Sequence, residues 1–118
     1  MIKGLGTDLV YLPRVREIVA KGDRFAKRVL TPREFELYQK TSGKGRVQFL
    51  AGRFGVKEAF SKAMGTGIGK YLSWQDVETL PDPLGKPVTT SPKFAGRVST
   101  SISDDHDYTV VVVILEEE

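Results

Sequence analysis

The chain has 118 residues, a net charge of +3 and no cysteine. That is one domain's worth of chain. Its buried fraction is modest enough to leave oligomerisation open, and disulfides and thiolate metal sites are excluded, with a reducing compartment allowed.

Ile2 to Leu12 reads as a strand with a flexible middle, because Gly4 and Gly6 precede Leu-Val-Tyr-Leu. Pro13 suits the first turn of a helix running to about Ala20, ended by Gly22. Asp23 is placed to cap a short helix through Leu30. Thr31-Pro32-Arg33-Glu34 is a helix start with Thr31 as cap and Glu34 at the capping-box position. That helix is expected to end near Ser42-Gly43, and a longer one to run from about Arg46 to Met64, with Gly65 as its stop. Trp74 to Leu80 is a candidate strand and Pro81 to Pro87 a turn. Val98 to Ser103 alternates. Thr109 to Leu115 is a continuous apolar, mostly β-branched run, which predicts a strand buried on both faces. The loop between these two strands is Asp104 to Asp107. The reading is a single α+β domain over 1–118, with helices mainly in the first half and an antiparallel sheet mainly in the second. The start lacks a basic segment followed by an apolar run, so no signal peptide is expected. The longest apolar run, Val110–Leu115, is too short to cross a bilayer. A cytoplasmic protein is expected.

Periodicity makes the long helix the richest segment. Val47, Leu50, Ala51 and Phe54 form one apolar stripe, which meets Glu58, Ser61 and Lys62 further along; Phe49, Val56, Phe60 and Ala63 form a second. A carboxylate and an amine on a buried stripe need partners. An exposed i,i+4 salt bridge between Glu58 and Lys62 is the plain alternative. Asp8 is an acid inside a strand-like segment. It either faces solvent or, with Glu58, holds Mg²⁺, which takes one or two carboxylates plus substrate phosphates.

Charge is uneven. Between Pro13 and Arg46 ten basic residues stand against four acidic ones, a balance of +6, while the remainder has eight against eleven, −3. A basic N-terminal third suits an acidic partner, although composition alone favours the plainer reading of a solvated helical surface.

Several segments together resemble the holo-acyl-carrier-protein synthases, the small trimeric type of 4'-phosphopantetheinyl transferase. They are Gly6-Thr7-Asp8-Leu9-Val10, Phe25-Ala26-Lys27-Arg28-Val29-Leu30-Thr31, Phe49-Leu50-Ala51-Gly52-Arg53-Phe54, Lys57 to Gly65, Gly85-Lys86-Pro87 and Ser101-Ile102-Ser103. The resemblance implies transfer of phosphopantetheine from coenzyme A to a serine of apo-acyl carrier protein, for fatty acid biosynthesis, with adenosine 3',5'-bisphosphate leaving. It implies Mg²⁺ on Asp8 and Glu58, Glu58 or a water as base, and Lys62 at the leaving phosphate. Coenzyme A contacts are carried over to Arg53, Lys57, Ser61, Gly65 and Lys86. Docking of the acidic carrier falls to Arg14, Lys21, Arg24 and Phe25. It also implies a homotrimer with sites between protomers, and neither nucleic acid nor membrane as partner. One position departs from the pattern: the family commonly follows Ser-Ile-Ser with His, whereas here Asp104 follows Ser103 and His106 comes two residues later.

Two other readings compete. A nucleic-acid-binding module would explain the basic third, but no zinc-finger spacing or aromatic-glycine signature accompanies it. A catalytically silent interaction protein is disfavoured by the intact Asp8, Glu58 and Lys62.

Overall fold

A computed structural model describes residues Met1–Glu118. In chain order it contains β1 (Ile2–Tyr11), α1 (Leu12–Ala20), α2 (Arg24–Val29), α3 (Pro32–Gln39) and α4 (Gly43–Met64). A 3₁₀ turn (Trp74–Asp76), β2 (Glu78–Pro81), β3 (Pro87–Thr90), β4 (Arg97–Asp104) and β5 (Tyr108–Glu116) follow. The mixed α+β reading holds, with helices in the first half and most strands in the second. No helix is long and apolar enough to cross a membrane.

The main sheet is antiparallel in the order β1-β5-β4, and β2 and β3 form a separate hairpin. β5 is therefore central, pairing Asp8 with Val111 on one side and Ile102 with Val111 on the other. Helix α4 crosses the inner face of the sheet. Its first half joins α1, α2 and α3 in one apolar cluster built on Val15, Val29, Leu50 and Ala51. Its second half joins the sheet in another, with Val56, Phe60, Val111 and Val113.

β5 is not buried on both faces. Thr109, Val111, Val113 and Leu115 face α4 and are buried, whereas Val110 is 44% exposed. The register sets Val110 beside Leu9 and Ile114 beside Leu5, and these β1 partners are 61% and 62% exposed. The unbroken apolar run thus reflects a sheet face that the single chain leaves uncovered, not a two-sided core. The boundaries also shift. α3 ends at Gln39 and α4 begins at Gly43, because the Arg46 guanidinium donates back to the Gln39 and Thr41 carbonyls and closes the gap. Trp74 to Leu80 is not one strand. Its first residues form the 3₁₀ turn, with the Ser73 N–H held by Asp76 at 2.9 Å. The short β3, starting on proline, had no visible signal. Asp23 stands before α2 but makes no side-chain cap.

The Thr31–Glu34 capping box forms as expected, and it reaches further than a cap. Glu34 is buried and accepts from Thr31 N–H (2.9 Å) and Thr79 N–H (2.8 Å). It also pairs with Lys57 Nζ at 2.8 Å, with both side chains at most 1% exposed. Lys57 donates to the Trp74 carbonyl at 2.8 Å and to the Val77 carbonyl. Every polar atom of the pair is satisfied, which is what makes burying the two charges tolerable. Burial lowers the Lys57 amine from its usual range, and Glu34 opposes that. The pair ties α3, α4, the 3₁₀ turn and β2 together. Lys57→Met is expected to cost about 3–5 kcal/mol in urea unfolding, since Glu34 is left charged and unpaired. Glu34→Gln added to Lys57→Met is expected to recover much of that loss; no recovery would show that the unpaired charge is not its cause.

Candidate active site

The geometry of the site begins with two missing side chains. A Cβ at Gly4 would strike the Ala63 carbonyl, and one at Gly6 would strike the Ala59 carbonyl. β1 therefore lies directly on the last turns of α4. The glycines serve this close approach rather than flexibility in the strand. Two residues beyond Gly6, on the same inner face, Asp8 arrives beside α4. Its carboxylate meets Lys62 Nζ at 3.2 Å, and Lys62 also donates to the Thr7 carbonyl at 3.0 Å. Asp8 is 15% exposed and Lys62 54%. Glu58, one helical turn before Lys62, lies at the half-buried edge of the same seam. The interaction of Lys62 is thus with Asp8 across the seam rather than a simple pair with Glu58 along the helix.

Burial pushes the Glu58 carboxyl above its ordinary range, the Asp8 charge pushes it further, and Lys62 pulls it back. A raised carboxyl pKa favours folding most below the unfolded value, and that contribution is lost as pH rises through the folded value. Two acids that repel each other at neutral pH invite a cation. No cluster of three or more acidic or histidine groups exists to cage a metal. Two carboxylates, with the remaining positions left to water and substrate oxygens, fit Mg²⁺.

The other residues singled out from sequence scatter. Arg53 is half-buried, stacks on the Phe49 ring at 4.3 Å and donates to the Thr79 carbonyl at 3.1 Å. Burial lowers its guanidinium pKa. It lines a groove of about 450 Å³ between α4, β4 and the β2–β3 turn, together with Gly45, Gly85, Thr100 and Asp104. Lys86 is exposed in that turn. Lys57 does not line a groove, because its amine is sealed in the Glu34 pair. Ser61 is buried, and its hydroxyl donates to the Glu58 carbonyl at 2.7 Å, within the helix. Gly65 closes α4 in the left-handed conformation at φ 79°. Asp104 is exposed at the end of β4 and accepts from the Thr109 hydroxyl at 2.6 Å. His106 is exposed in the following loop.

Near the other end of the seam, Arg14 and Phe25 line an apolar groove with Leu9, Ile18, Phe54 and Tyr108. Lys21, Arg24 and Arg28 edge the adjoining surface. Phe25 and Phe54 meet at 5.8 Å between centroids, and Phe54 stacks on Trp74 at 5.4 Å. Periodicity alone places Phe54 in an internal stripe. Its half-exposure follows from the gap between α1 and β1, which no periodicity reveals.

If Asp8 raises the Glu58 pKa, Asp8→Asn will lower it. The expected result is a downward shift of the Glu58 carboxyl titration by carbon NMR, because the repelling charge is gone and Lys62 is released toward Glu58. An unchanged or higher midpoint would show that the two acids do not interact.

Known proteins resemble the chain over nearly its whole length. The sequence model of the 4'-phosphopantetheinyl transferase superfamily matches residues 4–113. The holo-acyl-carrier-protein synthase of Lactobacillus johnsonii is 58% identical over 99% of this chain and 98% of its own length. That of Lactobacillus helveticus is 58% identical over 100% of both. Among solved structures, the Bacillus anthracis synthase in complex with CoA (3',5'-ADP) superposes with a TM-score of 0.93 at 39% identity, covering 100% of this chain and 99% of that one. The Helicobacter pylori synthase in complex with coenzyme A gives 0.84 at 32% identity, over 95% and 99%. With the family model spanning nearly all of it and full-length relatives at this identity, the chain belongs to the holo-acyl-carrier-protein synthases of the 4'-phosphopantetheinyl transferase superfamily.

Proposed function

We propose that this enzyme transfers the 4'-phosphopantetheine group of coenzyme A to a serine of apo-acyl carrier protein, in the cytoplasm, for fatty acid biosynthesis. The observation that carries the reading is the meeting of Asp8, Glu58 and Lys62 across the glycine-permitted seam of β1 and α4. The serine oxygen forms a bond to the phosphorus that bears pantetheine. The bond from that phosphorus to the bridging oxygen breaks, and adenosine 3',5'-bisphosphate leaves with the electron pair. Asp8 and Glu58 would hold Mg²⁺, which supplies charge neutralisation and a clamp on the diphosphate. Glu58, or a water it orients, accepts the serine proton. Lys62, whose side chain is 54% exposed, is placed to exchange Asp8 for the developing negative charge on the leaving oxygen.

The test is mass spectrometry of apo-acyl carrier protein after incubation with the enzyme, coenzyme A and Mg²⁺. A gain of one phosphopantetheine supports the reaction class, and no gain rejects it. Asp8→Asn and Glu58→Gln are expected to lose most of that activity while staying folded, and wild type to lose it in excess chelator.

The basic surface of α1 and α2 gives the acidic carrier its landing site. Arg14, Lys21 and Arg24 supply charge, and Phe25 sits beside the apolar groove. Arg14→Glu with Arg24→Glu is expected to raise the carrier's KM at least tenfold at low salt and to leave the KM for coenzyme A unchanged. An unchanged carrier KM would place docking elsewhere.

The uncovered apolar face of β1 and β5 suits a homotrimer, in which neighbouring copies cover Leu5, Leu9 and Val110. Val110→Glu is expected to convert a trimer to monomer in sedimentation. A wild-type monomer with full activity would overturn this assembly.

A further inference from the structure

The seam between β1 and α4 holds two acids and one cation. Of the ion pairs in the chain, one reaches Asp8, from Lys62, and none involves Glu58. The Lys62 ammonium has two acceptors on β1: the Asp8 carboxylate at 3.2 Å and the Thr7 carbonyl at 3.0 Å. The second belongs to the main chain of a strand paired with β5. An ammonium with a carboxylate and a fixed carbonyl to donate to is seated on the strand. Lys57 cannot take its place, because its own amine is sealed against Glu34 in the core.

That seating has an electrostatic consequence. Lys62 neutralises one of the two carboxylates and leaves the three groups net negative. A divalent ion held by Asp8 and Glu58 would make the same cluster net positive, with two cations beside one carboxylate. Such like charges repel more strongly at a partly buried site than in water, and salt screens them less. The ammonium also engages an Asp8 oxygen that a metal would use as ligand. A metal therefore binds here against Lys62. An ionised diphosphate reverses the balance, because it restores negative charge and offers the ammonium new acceptors. Asp8 is 15% exposed and stays in place, whereas Lys62 is 54% exposed, on a flexible stem that can leave Asp8 with little loss of packing.

We infer that Lys62 is an internal counter-ion that holds Asp8 against a divalent metal and releases it to the diphosphate, so that metal and coenzyme A bind cooperatively through this one side chain. The inference rests on the proposed function, which assigns the metal to Asp8 and Glu58. It adds an order of assembly to that reading. Lys62 opposes the metal in the free enzyme and ceases to oppose it once the donor is seated. The coupling is reciprocal, so the metal also strengthens coenzyme A by the same factor.

The test is titration with Mn²⁺, which accepts the same oxygen ligands as Mg²⁺ and is followed by electron spin resonance. It is run with and without coenzyme A, and without carrier protein, so that no turnover occurs. Lys62→Met is expected to bind Mn²⁺ alone about tenfold more tightly than wild type, within the range of coupled sites. Lys62→Arg keeps the charge and is expected to stay within about twofold of wild type. Coenzyme A is expected to tighten Mn²⁺ in wild type by a factor at least about threefold larger than in Lys62→Met. The tightening left in Lys62→Met is the direct bond from metal to diphosphate. Unchanged or weaker Mn²⁺ binding by Lys62→Met would overturn the inference. Equal tightening by Lys62→Arg would overturn it too, by tracing the gain to packing rather than charge. An equal effect of coenzyme A in wild type and Lys62→Met would overturn the coupling. Asp8→Asn marks the site and is expected to weaken Mn²⁺ with and without coenzyme A. Wild-type Mn²⁺ binding by Asp8→Asn, or no Mn²⁺ binding by any of these proteins, would instead reject the proposed metal ligands, and the inference with them. Should Lys62→Met not fold, Lys62→Gln supplies the neutral side chain, and the same outcomes decide.

Discussion

Strand β1 lies on helix α4 with no side chain between them at Gly4 and Gly6. The same economy appears from the helix side at Gly55, where a Cβ would come within 2.7 Å of Val111. Backbone against backbone is the shortest separation two elements can have. It brings an acid from a strand within reach of a base and a second acid on a helix. Were β1 displaced by the width of a methyl group, Asp8 would lose its 3.2 Å contact with Lys62. The raised pKa of Glu58 depends on the same proximity. The chemistry of the site is therefore set by steric contact first and electrostatics second.

How much of this was visible in the residues depends on what kind of signal each feature leaves. Local chemistry was plain: the Thr31–Glu34 capping box, Pro13 opening α1 and Gly65 closing α4 all follow from two- to four-residue patterns. Asp8, Glu58 and Lys62 were flagged as charges out of place in apolar segments, and family resemblance gave them a chemistry. What could not be read was pairing across the chain. Glu34 looked like a cap and nothing more, yet it meets Lys57 and Thr79, which are 23 and 45 positions away. Family resemblance assigns Lys57 to coenzyme A, but a helix turns successive residues about 100° apart, and that rotation sends its amine into the core. Thr79, Thr89 and Thr100 stand in three separate strands of unremarkable sequence. The β5 run was misjudged because an apolar face awaiting another surface has the same composition as one already covered.

The two buried polar systems divide the molecule between them. The Glu34–Lys57 pair fastens the 3₁₀ turn and β2 to α4, and the Thr89 hydroxyl, bonded to those of Thr79 and Thr100, fastens the β2–β3 hairpin to β4. Both converge on Thr79, whose N–H, carbonyl and hydroxyl are each engaged by a different partner. An apolar core would give comparable stability with less directional constraint. Here the directional bonds hold the hairpin at a set angle to α4 and to β4, and the groove walls are made of those three elements.

The sheet order has a further consequence for how the protein is made. β1 precedes every other strand described, but its only hydrogen-bonded neighbour is β5, which follows them all. During translation Asp8 leaves the ribosome early on a segment with no ladder to join. α4 follows with its glycine-lined face bare. Helices α1 to α4 can gather around their own apolar cluster as soon as they emerge, since their contacts are local. β1 gains its hydrogen-bonded ladder only when Tyr108–Glu116 lies between it and β4. The helical cluster thus depends on contacts near in sequence, whereas the placement of Asp8 depends on a strand about a hundred residues away.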